Sequence, residues 1–503
     1  MKPDSLLSNT RWGVGAQLLR SGLGFLFIPV VVSRLGTVQY GIFNAILLLS
    51  YSQGFFNQTD VGYFNFLTKH SAKLNGEKAL KEFERECSYF FSTWVLSQGL
   101  ICCIFVFSSK FVAKKFGIDN QNIGYFIIGS YLVLATNLIA SLGSVYLSFL
   151  LSQQQNALVK KTETVCYFCF LVFAFLGLFF KKNVITLVSA FALSQCLQSF
   201  LYFFYVKQFY KRAIKIQLTP SLKFLKNWSD WKPFLFAKLN GLAIKQSDTA
   251  IVLFFGGPEL VAYYDIATKI PSFLKVLMGR ISESLITFSG ANQNPKGQKL
   301  INNILSRLLF LQLTLSLALG CGALFYGKQI LEAWLGIDIS PQIVLGFKIA
   351  AFIPLFHAFS SSPAALLMGR DGRADLMTWG PTIVSVFNLV CSIPATYYGG
   401  IVGTISCTLL QFLLLAWILK NPISTDFGLN LYSIGKKTFL ALPVIFGSQF
   451  IVYCLLKLCF NRVETILMLV TANSIMGIFI AYLFKSDFKH LGNYMTFSEE
   501  SDS

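Results

Sequence analysis

Between Phe234 and Thr287 an apolar stretch carries Lys238, Lys245, Asp248, Asp265, Lys269, Lys275, Arg280 and Glu283. At about 100° per residue, Lys238, Lys245 and Asp248 share one narrow sector of a helix, and Asp265, Lys269, Arg280 and Glu283 share a sector of the next. An ionised group at the bilayer centre costs about 2.5–3.5 kcal/mol on insertion scales, so such a face points at partners or at a water-filled cavity rather than at lipid. Asp248 with Lys245 and Asp265 with Lys269 are spaced by three and four residues, which lets them satisfy each other. That pairing cannot neutralise the whole set. With Arg20 and Lys348 added to this stretch, seven basic residues (Arg20, Lys238, Lys245, Lys269, Lys275, Arg280 and Lys348) stand against three acids, Asp248, Asp265 and Glu283. The surplus calls for an anion.

The elements that must position these residues are membrane spans. The chain has 503 residues, 54% hydrophobic and 13% charged, with 51 Phe, which excludes an ordinary soluble protein. Runs of about 20 apolar residues occur fourteen times, the first at Gly13–Leu35, the second at Gln39–Asp60, the fifth at Thr164–Phe180, the seventh at Pro233–Gly256, the eighth at Val261–Ser289, the tenth at Ile343–Met368 and the last at Thr465–Phe484. The first run is too long for a signal-peptide core and is expected to remain as a span. A net charge of +19 would suit nucleic acid, but alternate loops explain it better. One side collects Lys69, Lys78, Lys81, Arg85, Lys160, Lys161, the basic cluster from Lys207 to Lys232, Lys436, Lys437 and Lys485; the other has chiefly Arg34, Lys110, Lys114, Lys181, Lys182 and Lys328. Both termini are therefore expected in the cytoplasm, and no nucleic acid partner is needed.

The two halves read as a repeat. Gly36 and Val261-Ala262 belong to segments Arg34–Phe43 and Phe255–Tyr264 that match at an offset of 221 (257 minus 36), and Phe116-Gly117-Ile118-Asp119 recurs as Leu335-Gly336-Ile337-Asp338 at 219 (336 minus 117). Six spans per copy is an even number, so both copies enter from the same side and enclose a cavity between two bundles. The expected fold is an all-α polytopic membrane protein of about fourteen transmembrane helices, two six-helix lobes in parallel repeat plus two C-terminal helices. The expected divisions are an N-terminal lobe over 1–206, a basic cytoplasmic linker over 207–232, a C-terminal lobe over 233–420, two additional helices over 421–484 and a cytoplasmic tail over 485–503. The linker is expected to lie on anionic lipid as an interfacial stretch. Pro271 and Pro354 are expected to mark kinks.

Catalytic motifs are not evident. Gly435-Lys436-Lys437-Thr438 fails the phosphate-loop spacing. His357 is the one histidine inside a run and reads as a hydrogen-bonded core residue ahead of a catalytic base. Cys166 and Cys169 sit in an apolar run with no second pair, so neither a metal nor a cofactor is expected. The chain is expected not to be an enzyme.

Three stretches resemble a known family. Pro29, Arg34-Leu35-Gly36 and Tyr40-Gly41 are similar to the opening of the polysaccharide biosynthesis flippases, the O-antigen and capsule repeat-unit translocases of the multidrug/oligosaccharidyl-lipid/polysaccharide exporter superfamily. Asp60-Val-Gly62 through Leu67-Thr68-Lys69 resembles the family's stretch closing the second span, with lysine in place of arginine, and Asp248 with Gly257-Pro258-Glu259, Val261-Ala262 and Tyr264 resembles its signature at the seventh and eighth spans, with alanine where glycine is usual. The resemblance implies alternating access that carries an undecaprenyl-diphosphate-linked oligosaccharide across the bacterial inner membrane, with membrane lipids around it and a polysaccharide polymerase as a partner. In the motif itself, Gly36 and Gly41 read as allowing a tight turn and Arg34 as an interfacial anchor.

The cationic interior selects among branches of that superfamily. A drug-cation exporter wants an acidic cavity, whereas Arg gives bidentate hydrogen bonds and Lys a compact charge to phosphate oxygens. Arg20, Lys245 and Lys269 are expected to meet the diphosphate near mid-depth and Lys238 and Arg280 nearer the cytoplasmic mouth. Asp248 and Asp265 are expected to balance charge or carry a coupling H+ or Na+. A multidrug exporter and a membrane polymerase or acyltransferase stand as the alternatives.

Overall fold

A chain segment in lipid has no water to satisfy its amides, so long apolar runs close their hydrogen bonds internally as helices. The computed structural model describes residues 6–72, 76–211, 213–216, 224–225, 228–291, 295–369, 376–427 and 431–456. Among these there is no strand. The helices are α1 (Leu6–Leu47), α2 (Tyr63–Ser71), α3 (Gly76–Lys115), α4 (Asn120–Ser152), α5 (Asn156–Phe180), α6 (Val184–Tyr210), α7 (Trp228–Lys245), α8 (Ser247–Ala291), α9 (Pro295–Leu335), α10 (Pro341–Ala350), α11 (Ile353–Gly369), α12 (Leu376–Phe427) and α13 (Leu431–Leu456).

Nine helical stretches among the described residues are long and apolar enough to cross a membrane, and several are of double length, such as the 42 residues of Trp379–Lys420. The reason is that single glycines leave the helical conformation inside α1 at Gly36, α8 at Gly257 and α12 at Gly400, each joining two apolar runs. The tenth run is divided instead at Ala351-Phe352, with Pro354 in the first turn of α11, where a proline costs no hydrogen bond. Near Pro271 every residue of α8 keeps helical dihedral angles. The fourteenth run, 465–484, and the tail lie outside the described residues. Among the described residues the architecture is the all-α polytopic one.

The repeat is visible in the backbone. Gly36 and Gly257 both adopt positive φ, 79° and 73°, and so do Gly117 and Gly336, 63° and 71°. These are the four glycines that anchor the sequence repeat, and this left-handed region is one that residues with a Cβ rarely occupy. Gly41 behaves differently from expectation. It lies within helix and not in the turn, and a Cβ there would meet the Pro258 carbonyl oxygen at 1.7 Å. Its missing side chain serves close backbone approach.

The chain divides into two compact units, Met1–Tyr263 and Tyr264–Ser503. In the first, Tyr63, Phe64, Phe90 and Trp94 form an aromatic core, with Tyr63 stacked on Phe90 at 4.4 Å between centroids. Three residues of the 207–232 segment, Ile214, Phe224 and Trp231, belong to this core. Ile214 and Phe224 are buried, the Lys215 amide donates to Glu84 Oε1 at 2.7 Å, and Trp231 Nε1 donates to the Phe224 carbonyl at 3.1 Å. Protein covers these three side chains, while Phe209, Leu225 and Trp228 are exposed, as are Lys207, Lys211, Lys215 and Lys232.

Where the second span unwinds, Asn137 of α4 replaces the lost helical partners. Its Oδ1 accepts from the Tyr51 amide and its Nδ2 donates to the Leu49 carbonyl, both at 2.7 Å, and the residue is 2% exposed. Asn137→Leu orphans both groups, each worth about 1–3 kcal/mol when buried unpaired. Thermal unfolding of the purified variant in detergent is expected to show a loss of that order, and an unchanged midpoint would contradict this role.

In the second unit, Met278, Leu305, Leu309, Leu313, Ala358 and Leu419 pack together from α8, α9, α11 and α12. Beside them is a polar layer. Ser362 donates to Gln312 Oε1 at 2.9 Å, and Ser282 and Ser362 hydroxyls meet at 2.7 Å.

Candidate functional site

Arg20, on α1, does not stand alone. Its guanidinium meets Glu163 Oε2 of α5 at 2.8 Å, and Lys160 Nζ reaches the same carboxylate at 3.0 and 3.2 Å. Arg20 and Glu163 side chains are only 20% and 17% exposed. One carboxylate is shared between two cations, so the cluster keeps a net positive charge. Glu163 escaped the sequence tally because the fifth apolar run begins at Thr164, while α5 begins at Asn156. The polar first turns of a helix do not register in a count of apolar residues.

Lys238 is held more tightly. Its ammonium contacts Asp60 Oδ1 at 2.5 Å, the Asn57 carbonyl at 2.6 Å and Asn57 Oδ1 at 3.1 Å. Asp60 Oδ1 also accepts from the Gly62 amide at 3.0 Å, and Asp60 is 2% exposed. Gly62 has φ 80°, and a Cβ on it would sit 2.5 Å from the Phe234 carbonyl oxygen. Gln246 Nε2 donates to the Gln53 carbonyl at 3.0 Å, two turns beyond Lys238. The Asp-x-Gly motif is thus the seat on which the seventh span docks. Lys238, expected as a cargo contact, is committed to that seat.

Lys269 and Asp265 form the local pair that their spacing allowed, at 3.2 Å with 39% and 27% side-chain exposure. Such a half-exposed pair is weak, about 0.3–0.5 kcal/mol at this helical spacing, and leaves the ammonium available. Asp248 is 1% exposed and lies in the first turn of α8, where a carboxylate complements the helix dipole. Lys348 lies in the last turn of α10, the converse arrangement. Lys275 Nζ sits 5.3 Å from the centre of the Phe412 ring. The side chains of Lys245 and Arg280 lie outside the described residues, although both positions are helical. The positive surplus is therefore smaller than the sequence count, because Asp60 and Glu163 enter from run boundaries.

His357 also differs from its reading. Its ring packs edge-on to Phe412 at 5.2 Å, but Nδ1 is buried without a hydrogen-bond partner. Among the described residues no three His, Cys, Asp or Glu side chains gather as a metal site would need.

The profile of the family described as Polysaccharide biosynthesis protein matches residues 6–286, over half of the chain. The chain belongs to this family. No curated protein sequence matches it significantly. Among solved structures, the lipid II flippase MurJ in its inward closed conformation is similar with a TM-score of 0.67 at 15% identity, covering 96% of this chain and 99% of that one. An inward-facing multidrug resistance MATE family transporter of the MOP superfamily gives 0.57 at 14% identity, covering 86% and 96%. A MOP superfamily transporter from Pyrococcus furiosus, described as having a binding pocket of reverse polarity, gives 0.57 at 12% identity, covering 85% and 99%. These likenesses establish a shared fold. The family match spans both the Arg20 cluster and the Asp60–Lys238 seat, so the elements carrying them are family elements.

Proposed function

We propose that this family member is a flippase for an undecaprenyl-diphosphate-linked oligosaccharide, working by alternating access in the bacterial inner membrane with both termini cytoplasmic. The observation that carries the reading is the Arg20 cluster, two cations sharing a single carboxylate within the spans of a polysaccharide biosynthesis protein. A diphosphate approaching Arg20 finds a guanidinium whose fork geometry suits two phosphate oxygens. Glu163 moderates the attraction, which matters because cargo bound too tightly cannot leave on the other side. Lys269 and Lys245 are the further phosphate contacts, with Arg280 beside the mouth; Asp248 and Asp265 balance charge or carry a coupling ion, H+ or Na+. Lys238 is removed from the cargo set because its donors are occupied by Asp60 and Asn57. The lobe limits 1–206 and 233–420, with a basic linker between them, complete the proposal, as does a polysaccharide polymerase that takes up the product.

A multidrug exporter of the same fold would need unbalanced carboxylates facing its cargo, whereas Glu163, Asp60 and Asp265 each have a cation beside them. The test is complementation of a deletion strain. Lys245→Ala with Lys269→Ala is expected to lower surface polysaccharide at least about tenfold with protein abundance unchanged. Wild-type polysaccharide in the double variant, or resistance to cationic dyes on overexpression of the native chain, would defeat the reading.

A further inference from the structure

We propose that the groove between α5 and α6, at the end of these helices away from Glu163, binds an anionic membrane phospholipid, with one acyl chain along the groove and the phosphate on Lys181 and Lys182. The groove has a volume of about 420 Å³. Its walls are Phe173, Leu176 and Leu193, its floor includes Ser189, and Lys181 and Asn183 stand at its mouth. Phe173, Leu176 and Leu193 are 42%, 51% and 58% exposed, which is an apolar surface made for hydrocarbon. The two helices approach closely just below Lys181 and Asn183. Gly177 permits it, since a Cβ there would lie 2.3 Å from Thr186 Cγ2. Asn183 is already used, accepting from the Thr186 amide at 3.0 Å to start α6. The cations at the mouth remain without a counter-charge.

Charge decides the headgroup. No acidic residue occurs between Glu163 and Asp230 or within α1 and α4, which pack on α5 and α6, and Asp119 at the start of α4 is used in capping that helix, accepting from the Asn122 amide at 3.2 Å. Glu163 is eighteen residues from Lys181 (181 minus 163), about 27 Å along a helix. Lys181 and Lys182 are exposed and make no ion pair among the described residues. No acidic residue lines the groove itself, so an anionic headgroup complements Lys181, and the hydrocarbon wall beneath it selects a lipid over a soluble anion. A juxtamembrane lysine strengthens binding to anionic lipid about fivefold. Nothing in this site depends on what cargo the protein moves.

The experiment titrates the purified full-length chain in detergent with phosphatidylglycerol or phosphatidylcholine and counts bound lipid by native mass spectrometry. The native chain is expected to retain one phosphatidylglycerol in preference to phosphatidylcholine. Lys181→Ala with Lys182→Ala is expected to weaken phosphatidylglycerol about twenty-five-fold, while Lys114→Ala with Lys115→Ala, at the end of α3, leaves it unchanged. Ser189→Phe, which fills the groove, is expected to remove the retained lipid. Equal affinity in the Lys181/Lys182 variant overturns the proposal, as does an equal loss in the Lys114/Lys115 variant, which would mean diffuse surface charge. Displacement of the lipid by millimolar inorganic phosphate also overturns it, since the headgroup alone would then account for binding.

Discussion

Asp60→Ala is expected to reduce folded protein in the membrane several-fold and to lower its stability in detergent by about 3–5 kcal/mol, the cost of leaving one partner of a buried ion pair uncompensated. Asp60 and Lys238 side chains are 3% and 15% exposed, so the stranded ammonium cannot recover its hydration without pulling the seventh span off its seat. Lys238→Met strands the carboxylate and is expected to cost a similar amount. Asp60→Asn with Lys238→Met removes both charges, and the double variant is expected to recover much of either single loss, because a neutral pair of similar volume carries no desolvation penalty. A cargo-binding Lys238 gives the opposite pattern. Lys238→Met would then be abundant, stable and inactive, and neutralising Asp60 as well would restore nothing.

Gly41→Ala is expected to be as damaging through sterics alone. The added Cβ would lie 1.7 Å from the Pro258 oxygen and 2.4 Å from its carbonyl carbon, both backbone atoms that cannot swing aside. Overpacking a tight contact costs about 1–3 kcal/mol and more where backbone meets backbone, so little folded protein is expected by fluorescence-detected gel filtration. Gly22→Ala provides the contrast. A Cβ at Gly22 meets nothing within 4 Å, and in a helix interior alanine is favoured over glycine by about 1 kcal/mol. Equal behaviour of the two variants would contradict the close approach of these segments.

These two contacts show what a single chain of letters reveals and what it hides. The spans were legible because lipid demands about 20 apolar residues per crossing, and the repeat because its glycines need positive φ at Gly36, Gly117, Gly257 and Gly336. Lys269 and Asp265 were legible as a pair because four residues on one helix are neighbours. Asp60 and Lys238 are 178 residues apart and Arg20 and Glu163 are 143 apart, and no local periodicity links residues at such distances. The ends of helices were hidden as well. The polar first turns of α3 and α5 fall outside apolar runs, which placed Lys160 and Glu163 in a loop rather than beside Arg20. Gly41 was read as a turn residue because a glycine needed for approach and one needed for its dihedral look alike in sequence.

The central claim is that positive side chains on these spans move a lipid-linked diphosphate. It is tested most directly by reconstituting the purified chain in liposomes with a fluorescent undecaprenyl-diphosphate oligosaccharide and following its exchange between leaflets with a membrane-impermeant quencher. The native protein is expected to exchange the probe, and the triple variant Arg20→Ala, Lys245→Ala, Lys269→Ala, incorporated to the same level, is expected to lose nearly all of that exchange. Exchange at the native rate by the triple variant, or none by the native protein under an imposed H+ or Na+ gradient, would contradict the account.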